Sequence, residues 1–74
     1  MALYQNLGGD SGVHSFEIFS DRIIITFSTR VTYEYTYRSA GRDNIEAMKS
    51  LALQGKGLNS FINTNVKFNY SRKI

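Results

Sequence analysis

The sequence predicts a small α+β domain, in which a three-stranded antiparallel β-meander packs against one or two C-terminal helices. Two patterns lead to this prediction. Apolar and polar residues alternate between residues 13 and 38, as in half-buried strands, and the spacing becomes helical from Ile45 onward. The 74 residues allow a single hydrophobic core. We therefore expect a flexible lead-in over residues 1–12 and one domain over residues 13–74.

Three strands are predicted, at residues 13–18, 22–28 and 31–38, because β-branched and aromatic residues are frequent in all of them. Successive side chains of a strand point to opposite faces, so alternate residues share a face. The residues predicted to share one face within each strand are His14, Phe16 and Ile18; Ile23, Ile25 and Phe27; and Val31, Tyr33, Tyr35 and Tyr37. The connections between the strands are too short for a parallel crossover, so neighbouring strands should be antiparallel.

A helix is predicted from Ile45 onward, because apolar residues then recur every three or four positions. Asp43 and Asn44 are the expected N-caps, and Gly55 or Gly57 the expected end. A second short helix follows, which residues 63–65 should end. Residues 66–70 alternate again, and form either a short final edge strand or an extended tail packed on the helices. The predicted core consists of Ile23, Ile25, Phe27, Ile45, Met48, Leu51, Phe61 and Ile62.

The composition excludes several kinds of site. The chain has no cysteine, which excludes disulfides and thiolate metal sites, and its single histidine has no suitable cluster of carboxylates near it in sequence. We therefore expect no metal and no other cofactor. No apolar run is long enough to span a bilayer, and the first residues lack the pattern of a secretory signal. The expected location is the cytoplasm of a bacterium or of an infected host cell, without a membrane partner.

The charge pattern permits an anionic partner without requiring one. The formal net charge is +3. Arg72 and Lys73 close the chain as either a solvated tail or a binding arm. Residues 8–12, Gly-Gly-Asp-Ser-Gly, have the composition of a turn and lack the Lys-Ser/Thr ending of a phosphate-binding loop.

The third strand carries the main candidate for a ligand-binding face. Aromatic rings on a sheet can stack on bases, and arginine adds cation–π contacts. The tyrosines of this face and the arginines near it in sequence are Tyr33, Tyr35, Tyr37, Arg30, Arg38 and Arg42. Alternatively, the same tyrosines pack under the helix, with their hydroxyl groups at the rim of the core. Both interpretations are open at the level of sequence.

A second candidate anion site lies between the two predicted helices. Gly55, Lys56 and Gly57 precede Leu58 and Asn59. Free backbone N–H groups at the start of the second helix would then lie beside the charge of Lys56, an arrangement that attracts phosphate. The alternative is an ordinary helix–helix turn with glycine at the C-cap.

No catalytic constellation is recognisable, and we predict that the protein is not an enzyme. No carboxylate or nucleophile stands at a spacing from His14 that would predict a catalytic pair, and we expect His14 at the surface of a strand. Glu17, Asp21 and Glu34 either converge on neighbouring strands or, as we expect, are solvated or paired across strands with arginine. The expected arginine partners are Arg22 and Arg38.

Three motifs occur in order along the chain. They are Tyr33-Glu34-Tyr35, Gly55-Lys56-Gly57-Leu58-Asn59 with Ile62, and Phe68-Asn69-Tyr70-Ser71-Arg72. Together they resemble the KTSC domain, a family found at the C-terminus of some lysyl-tRNA synthetases and as stand-alone small proteins. The resemblance spans residues 13–74 and implies a binding module without a reaction, with RNA binding suggested by the attachment to a tRNA enzyme.

We therefore predict a small non-catalytic module that binds RNA, a small nucleotide or another anionic ligand. The predicted ligand-binding residues are Tyr33, Tyr35, Tyr37, Arg38, Arg42, Lys56 and Asn59. The alternative is a protein-interaction module, such as a phage-encoded inhibitor or a homo-oligomer that pairs through sheet edges. A variant joins the two, as a phage-type oligomer that sequesters a nucleotide signal between subunits. Salt-sensitive binding of anions would favour the first class, and a salt-insensitive protein complex the second.

Overall fold

The computed structural model of the protein describes residues 2–7 and 12–74. In these ranges the chain forms a small α+β fold, which confirms the predicted class. The strands are β1 (Ala2–Leu3), β2 (Val13–Ile18), β3 (Arg22–Phe27), β4 (Thr32–Thr36) and β5 (Arg72–Lys73). The helices are α1 (Tyr37–Ala40), α2 (Arg42–Gln54) and α3 (Leu58–Phe61), and a π-helix (Ile62–Val66) continues α3.

The strands form an open sheet in chain order, and every neighbouring pair is antiparallel. The long strands β2, β3 and β4 correspond to the three predicted strands. The described residues nevertheless form five strands and not the predicted three, because β1 and β5 extend the sheet at its two edges. Each edge strand has only 2 residues, which is too short for an alternating pattern to stand out in the sequence.

The hydrophobic core lies between one face of the sheet and the helices. Ile23 and Ile25 of β3 are fully buried there with Ile45 and Met48 of α2. The buried hydrophobic residues of the described chain are Tyr4, Val13, Phe16, Ile23, Ile25, Tyr35, Ala40, Ile45, Met48, Ala52, Leu58, Ile62 and Val66. Most of the predicted core is confirmed. The exceptions, Phe27, Leu51 and Phe61, are partly buried and pack around this cluster.

A β-bulge changes the face pattern of β2. The register of β2 on β3 shifts between Val13 and Ser15. As a result His14 is exposed, while Val13 and Phe16 are both buried. The predicted shared face of His14 and Phe16 is therefore wrong, because an inserted residue breaks the strict alternation on which it was based.

β4 ends before Tyr37, contrary to the prediction that the strand continues through residue 38. The Thr36 hydroxyl accepts a hydrogen bond from the Ser39 backbone N–H at 3.0 Å. The Ser39 hydroxyl accepts one from the Thr36 N–H, also at 3.0 Å. This reciprocal capping box starts α1. Tyr37 is consequently helical and does not share a strand face with Tyr33 and Tyr35.

α2 begins at Arg42, earlier than predicted. Its N-cap is Gly41, so Asp43 and Asn44 lie in the first turn instead of capping the helix. The Asp43 carboxylate suits the positive end of the helix dipole there. The predicted end is confirmed, because Gly55 adopts the left-handed conformation at the C-cap with φ of 80°.

The second short helix, α3, is confirmed, but residues 63–65 do not end the helical segment. The side chains of Thr64 and Asn65 donate hydrogen bonds to carbonyls four residues earlier, at 2.7 and 3.2 Å. Such side-chain bonds to the helix backbone accompany a departure from regular α-helix, and the segment continues as the π-helix and buries Val66. The predicted strand or tail at residues 66–70 is thus wrong at its start, and the final strand is β5.

Residues 2–7 belong to the fold, in place of the predicted flexible lead-in. Their strand, β1, pairs with β2. Tyr4 is 6% exposed, and its hydroxyl accepts a hydrogen bond from the backbone N–H of Leu58 at 3.2 Å. This contact ties the start of the chain to α3. The predicted turn over residues 8–12 lies, except for Gly12, outside the described residues.

The turn between β3 and β4 holds an arginine in the left-handed region. The Arg30 N–H donates to the Phe27 carbonyl at 2.8 Å, and the Phe27 N–H donates to the Val31 carbonyl at 2.9 Å. Arg30 has φ of 70°. A side chain in this conformation crowds the backbone and costs roughly 1–2 kcal/mol, so glycine or asparagine is preferred there.

We expect Arg30→Gly to raise the free energy of unfolding by up to about 1 kcal/mol. Removing the β-carbon relieves the crowding, and the greater backbone freedom of unfolded glycine offsets part of the gain. Urea denaturation measures the change. Arg38→Gly, within helix α1, is the matched control and should lower stability. An Arg30→Gly variant less stable than the parent would contradict strain at this turn.

Candidate functional site

Tyr33 and Tyr35 lie on the core side of β4, and Tyr37 in α1 is also partly buried against the core. Tyr33 and Tyr35 lie opposite Ile25 and Ile23 of β3, and both isoleucines are fully buried. Tyr35 is 1% exposed and Tyr33 is half-buried. Packing under the helices is therefore the interpretation that the structure supports, and these rings do not form an open platform for bases.

The buried tyrosines belong to an aromatic cluster at the edge of the sheet. The Tyr33 ring centroid lies 4.5 Å from that of Tyr70, 5.8 Å from Phe27 and 6.4 Å from Tyr35. Tyr70 meets Tyr35 edge-on at 6.4 Å. Tyr70 precedes β5, so ring packing of this kind helps to hold the C-terminal segment against β4.

Burial has a direct electrostatic consequence for Tyr35. Loss of solvent, together with smaller effects of the neighbouring Tyr33 and Tyr70, raises the pKa of its hydroxyl from 10.0 to about 12. The neutral phenol is therefore the form that the folded core accommodates.

We expect the stability of the protein to fall between pH 10 and about 12. Tyr35 ionises near pH 10 in the unfolded chain but near 12 in the fold, so its stabilising contribution is complete below pH 10 and is lost above it. The loss at the top of this range is about 2 kcal/mol. Urea unfolding at successive pH values should show a shallower decline for Tyr35→Phe than for the parent. Tyr70→Phe is the control, and identical declines in Tyr35→Phe and the parent would contradict the assignment.

On the opposite face of the sheet, two arginines hold Glu34. Arg22 Nε lies 3.5 Å from Glu34 Oε2, and Arg72 Nε lies 3.2 Å from Glu34 Oε1. Arg22 also lies over the Phe19 ring, 4.6 Å from its centroid. The carboxylate belongs to a residue that is only 7% exposed. Because Arg72 belongs to β5, this cluster joins the last strand to β4.

The contacts of Glu34 with Arg22 and Arg72 bear on two alternatives left open by the sequence, namely the partners of the carboxylates and the state of the basic C-terminal segment. The expected pairing of Glu34 with Arg22 is confirmed, and Asp21 also lies 3.6 Å from Arg22. Arg38, the other expected partner, forms no ion pair with a described residue. Arg72 and Lys73 form an edge strand paired with β4, so the basic end of the chain is an ordered strand with exposed side chains and not a free arm.

We expect Glu34→Gln to lower the free energy of unfolding by roughly 1–2 kcal/mol, since it removes the charge that both arginines face. Amide exchange in β5 should accelerate at the same time, because Arg72 then has no carboxylate to bind. Glu17→Gln is the matched control, since Glu17 is exposed and lies in the same cross-strand row, opposite Ile24. Equal effects of the two substitutions would argue against a structural role for the cluster.

The structure brings Tyr37, Arg38 and Arg42 together where α1 meets α2, and with Lys49 they form what we term the basic corner. The Tyr37 hydroxyl donates to Glu46 Oε2 at 2.6 Å. Lys49 Nζ donates to the same oxygen at 2.8 Å and lies 5.5 Å from the Tyr37 ring centroid. Arg38 and Arg42 are exposed.

The hydrogen bonds of Glu46 shift the pKa values of three side chains at the basic corner. The hydrogen bond to Glu46 raises the pKa of Tyr37. Hydrogen bonds from Lys49 and then Tyr37 lower the pKa of Glu46, and the bond to Glu46 raises the pKa of Lys49. Near neutral pH, Glu46 is therefore an anion already engaged by its neighbours.

Lys56 and Asn59 lie at the other end of α2, roughly 20 Å from Arg42 along a helix of 13 residues. The predicted anion site there is not supported, because the Leu58 N–H is donated to a tyrosine hydroxyl. Lys56 is exposed, and the Asn59 side chain lies beside Gly12. The seven predicted residues thus occupy three places: the core, the basic corner and the α2–α3 turn.

Sequence reasoning missed a cavity beside the turn between β3 and β4. Its volume is about 380 Å³, and it is lined by His14, Thr26, Phe27, Ser28 and Arg30. Its two basic residues lie where the backbone is irregular. His14 is at the bulge in β2, and Arg30 has a left-handed backbone conformation. The imperfect alternation of residues 13–18 was the available sign of the bulge, whereas an arginine gives no sign of a positive φ.

Among the described residues, no group of three or more His, Cys, Asp and Glu is placed to hold a metal ion. In the same ranges, no helix is both long and apolar enough to cross a membrane.

Comparison with known proteins adds no assignment, since no family model, curated protein or solved structure matches this chain. The resemblance to the KTSC domain therefore stays a prediction.

Proposed function

We propose that the protein is a small non-catalytic module that binds an anionic partner, either RNA or a small nucleotide. The observation that best supports this function is the basic corner. Arg38 and Arg42 are exposed there and form no ion pair with a described residue. Arg38 follows Tyr37 directly in α1, and the charge of Arg42 acts on the Tyr37 hydroxyl. Tyr37 is half-buried, and its ring lies beside Lys49.

The local charges favour an incoming phosphate. Glu46 is hydrogen-bonded by Lys49 and by Tyr37 and forms no ion pair with Arg38 or Arg42, although its charge acts on Arg42 through space. A guanidinium presents paired N–H donors that match two oxygens of a phosphate.

The start of α2 supports the same site. The N-cap, Gly41, has no side chain to satisfy the first N–H groups of this helix, whose dipole is positive at this end. Asp43 in the first turn opposes the attraction with one negative charge. The arginines are therefore the main source of affinity in this proposal.

The position of the tyrosines shapes the proposed binding mode. Tyr33, Tyr35 and Tyr37 all pack on the core, and of the three only Tyr37 lies at the basic corner, so stacking there is limited to the accessible part of this half-buried ring. Binding is accordingly dominated by contacts with phosphates, and its affinity should depend strongly on salt.

The test is fluorescence anisotropy with a labelled single-stranded RNA, and competition by a panel of mono-, di- and cyclic nucleotides, at 50 and 200 mM salt. We expect Arg38→Gln/Arg42→Gln to weaken binding at least tenfold and to reduce the salt slope by about 1 for each phosphate that the variant no longer neutralises. Lys67→Gln/Lys73→Gln is the matched control, because it removes two positive charges from other exposed positions.

Equal weakening by the two double variants would indicate a general charge effect and contradict a site at the basic corner. Absence of binding by the parent to RNA and to every nucleotide would overturn the proposed function.

A protein-interaction module is the second candidate, as an inhibitor or a homo-oligomer. It is favoured by large apolar side chains that are exposed in the described chain. They are Leu3, Leu7, Ile18, Leu53, Phe68, Tyr70 and Ile74. Of these, Phe68 is the most exposed at 79%. A molar mass that rises with concentration in light scattering, together with no binding of anions, would favour this candidate.

A further inference from the structure

The cavity beside the β3–β4 turn is flanked by two departures from regular strand geometry. The bulge between Val13 and Ser15 leaves the His14 side chain exposed at the cavity wall. On the other side, Arg30 adopts φ of 70°, a conformation that an arginine rarely takes. Bulges and strained backbone recur where a protein directs side chains toward a ligand.

The lining of the cavity is suited to an anion. His14, Arg30, Ser28 and Thr26 supply an imidazole, a guanidinium and two hydroxyl groups, and none of the described lining residues is acidic. Neither Arg30 nor His14 forms an ion pair with a described residue. The guanidinium of Arg30 and the imidazole of His14 are therefore available to a ligand.

Two lining residues are fixed by contacts within the sheet. The Thr26 and Thr32 hydroxyls are 3.0 Å apart and share a hydrogen bond. The Phe27 ring meets Tyr33 edge-on at 5.8 Å between centroids. Both residues are thus held in place by the sheet, next to His14 and Arg30 in the lining of the cavity.

We propose that this cavity binds the phosphate monoester group of a small ligand, with Arg30 as the principal contact and His14 as the second. This proposal rests on the proposed function and adds a second, distinct anion site to it. A volume of about 380 Å³ lies within the range of small-ligand pockets and suits a mononucleotide better than a long chain. Free phosphate, a mononucleotide and the terminal phosphate of an RNA share this chemistry.

The cavity and the basic corner lie at opposite ends of β4. Arg30 precedes the strand and Tyr37 follows it, so its 5 residues separate the two places by roughly 17 Å. Substitutions at one site should therefore leave the other intact, and the two proposals can fail separately.

The test is amide NMR titration of the intact protein with inorganic phosphate, adenosine 5′-monophosphate and adenosine. We expect both phosphate compounds to shift the resonances of residues 26–30 and His14, and adenosine to shift neither. Arg30→Gly should weaken adenosine monophosphate binding at least tenfold without lowering the melting temperature, since glycine suits the left-handed turn. His14→Gln should weaken it several-fold.

Arg38→Gln/Arg42→Gln is the control and should bind adenosine monophosphate at the cavity as the parent does. Unchanged affinity in Arg30→Gly, shifts confined to the basic corner, or equal binding of adenosine would overturn the cavity proposal and leave the corner intact. Binding of RNA without any effect of phosphate compounds on residues 26–30 would also overturn it. Failure of the parent to bind any anion at either place would overturn both proposals.

Discussion

The burial of one face of β4 is the constraint on which most of this structure depends. Tyr33 and Tyr35 lie opposite Ile25 and Ile23, and the covering helices remove that face from water. A chain of 74 residues has little apolar surface to bury, so its large aromatic side chains are needed in the core. The tyrosine face of β4 consequently stabilises the fold, and the proposed binding relies on other residues.

The same strand organises both ends of the chain. On its core face, Tyr33 packs against Tyr70, and on its other face Glu34 holds Arg72. Both contacts fix the C-terminal segment that forms β5. The start of the chain is held separately, through β1 and the hydrogen bond between Tyr4 and Leu58. Side-chain contacts at both edges thus compensate for edge strands with few backbone hydrogen bonds of their own.

With the tyrosine face in the core, the proposed binding of an anion relies on positive charge at the ends of β4. Arg30 lies before the strand, and Arg38 and Arg42 lie after it. Carboxylates such as Glu34 and Glu46 are engaged by other partners, which leaves these arginines without ion pairs among the described residues. In this proposal the attraction of an anion comes mainly from these arginines and less from the modest net charge.

Local features of the sequence determined the fold class, the positions of the long strands, the helical period of α2 and its end at Gly55, because each depends on residues close together in the chain. Tertiary structure alone decided which alternative held for the tyrosines, since burial depends on which surface the helices cover. It also decided the bulge beside His14, the left-handed backbone of Arg30 and the two edge strands. The edge strands and the bulge depend on contacts between segments distant in sequence, which no short-range pattern records. Arg30 lies in a local turn, but an arginine there lacks the glycine or asparagine signal of a positive φ.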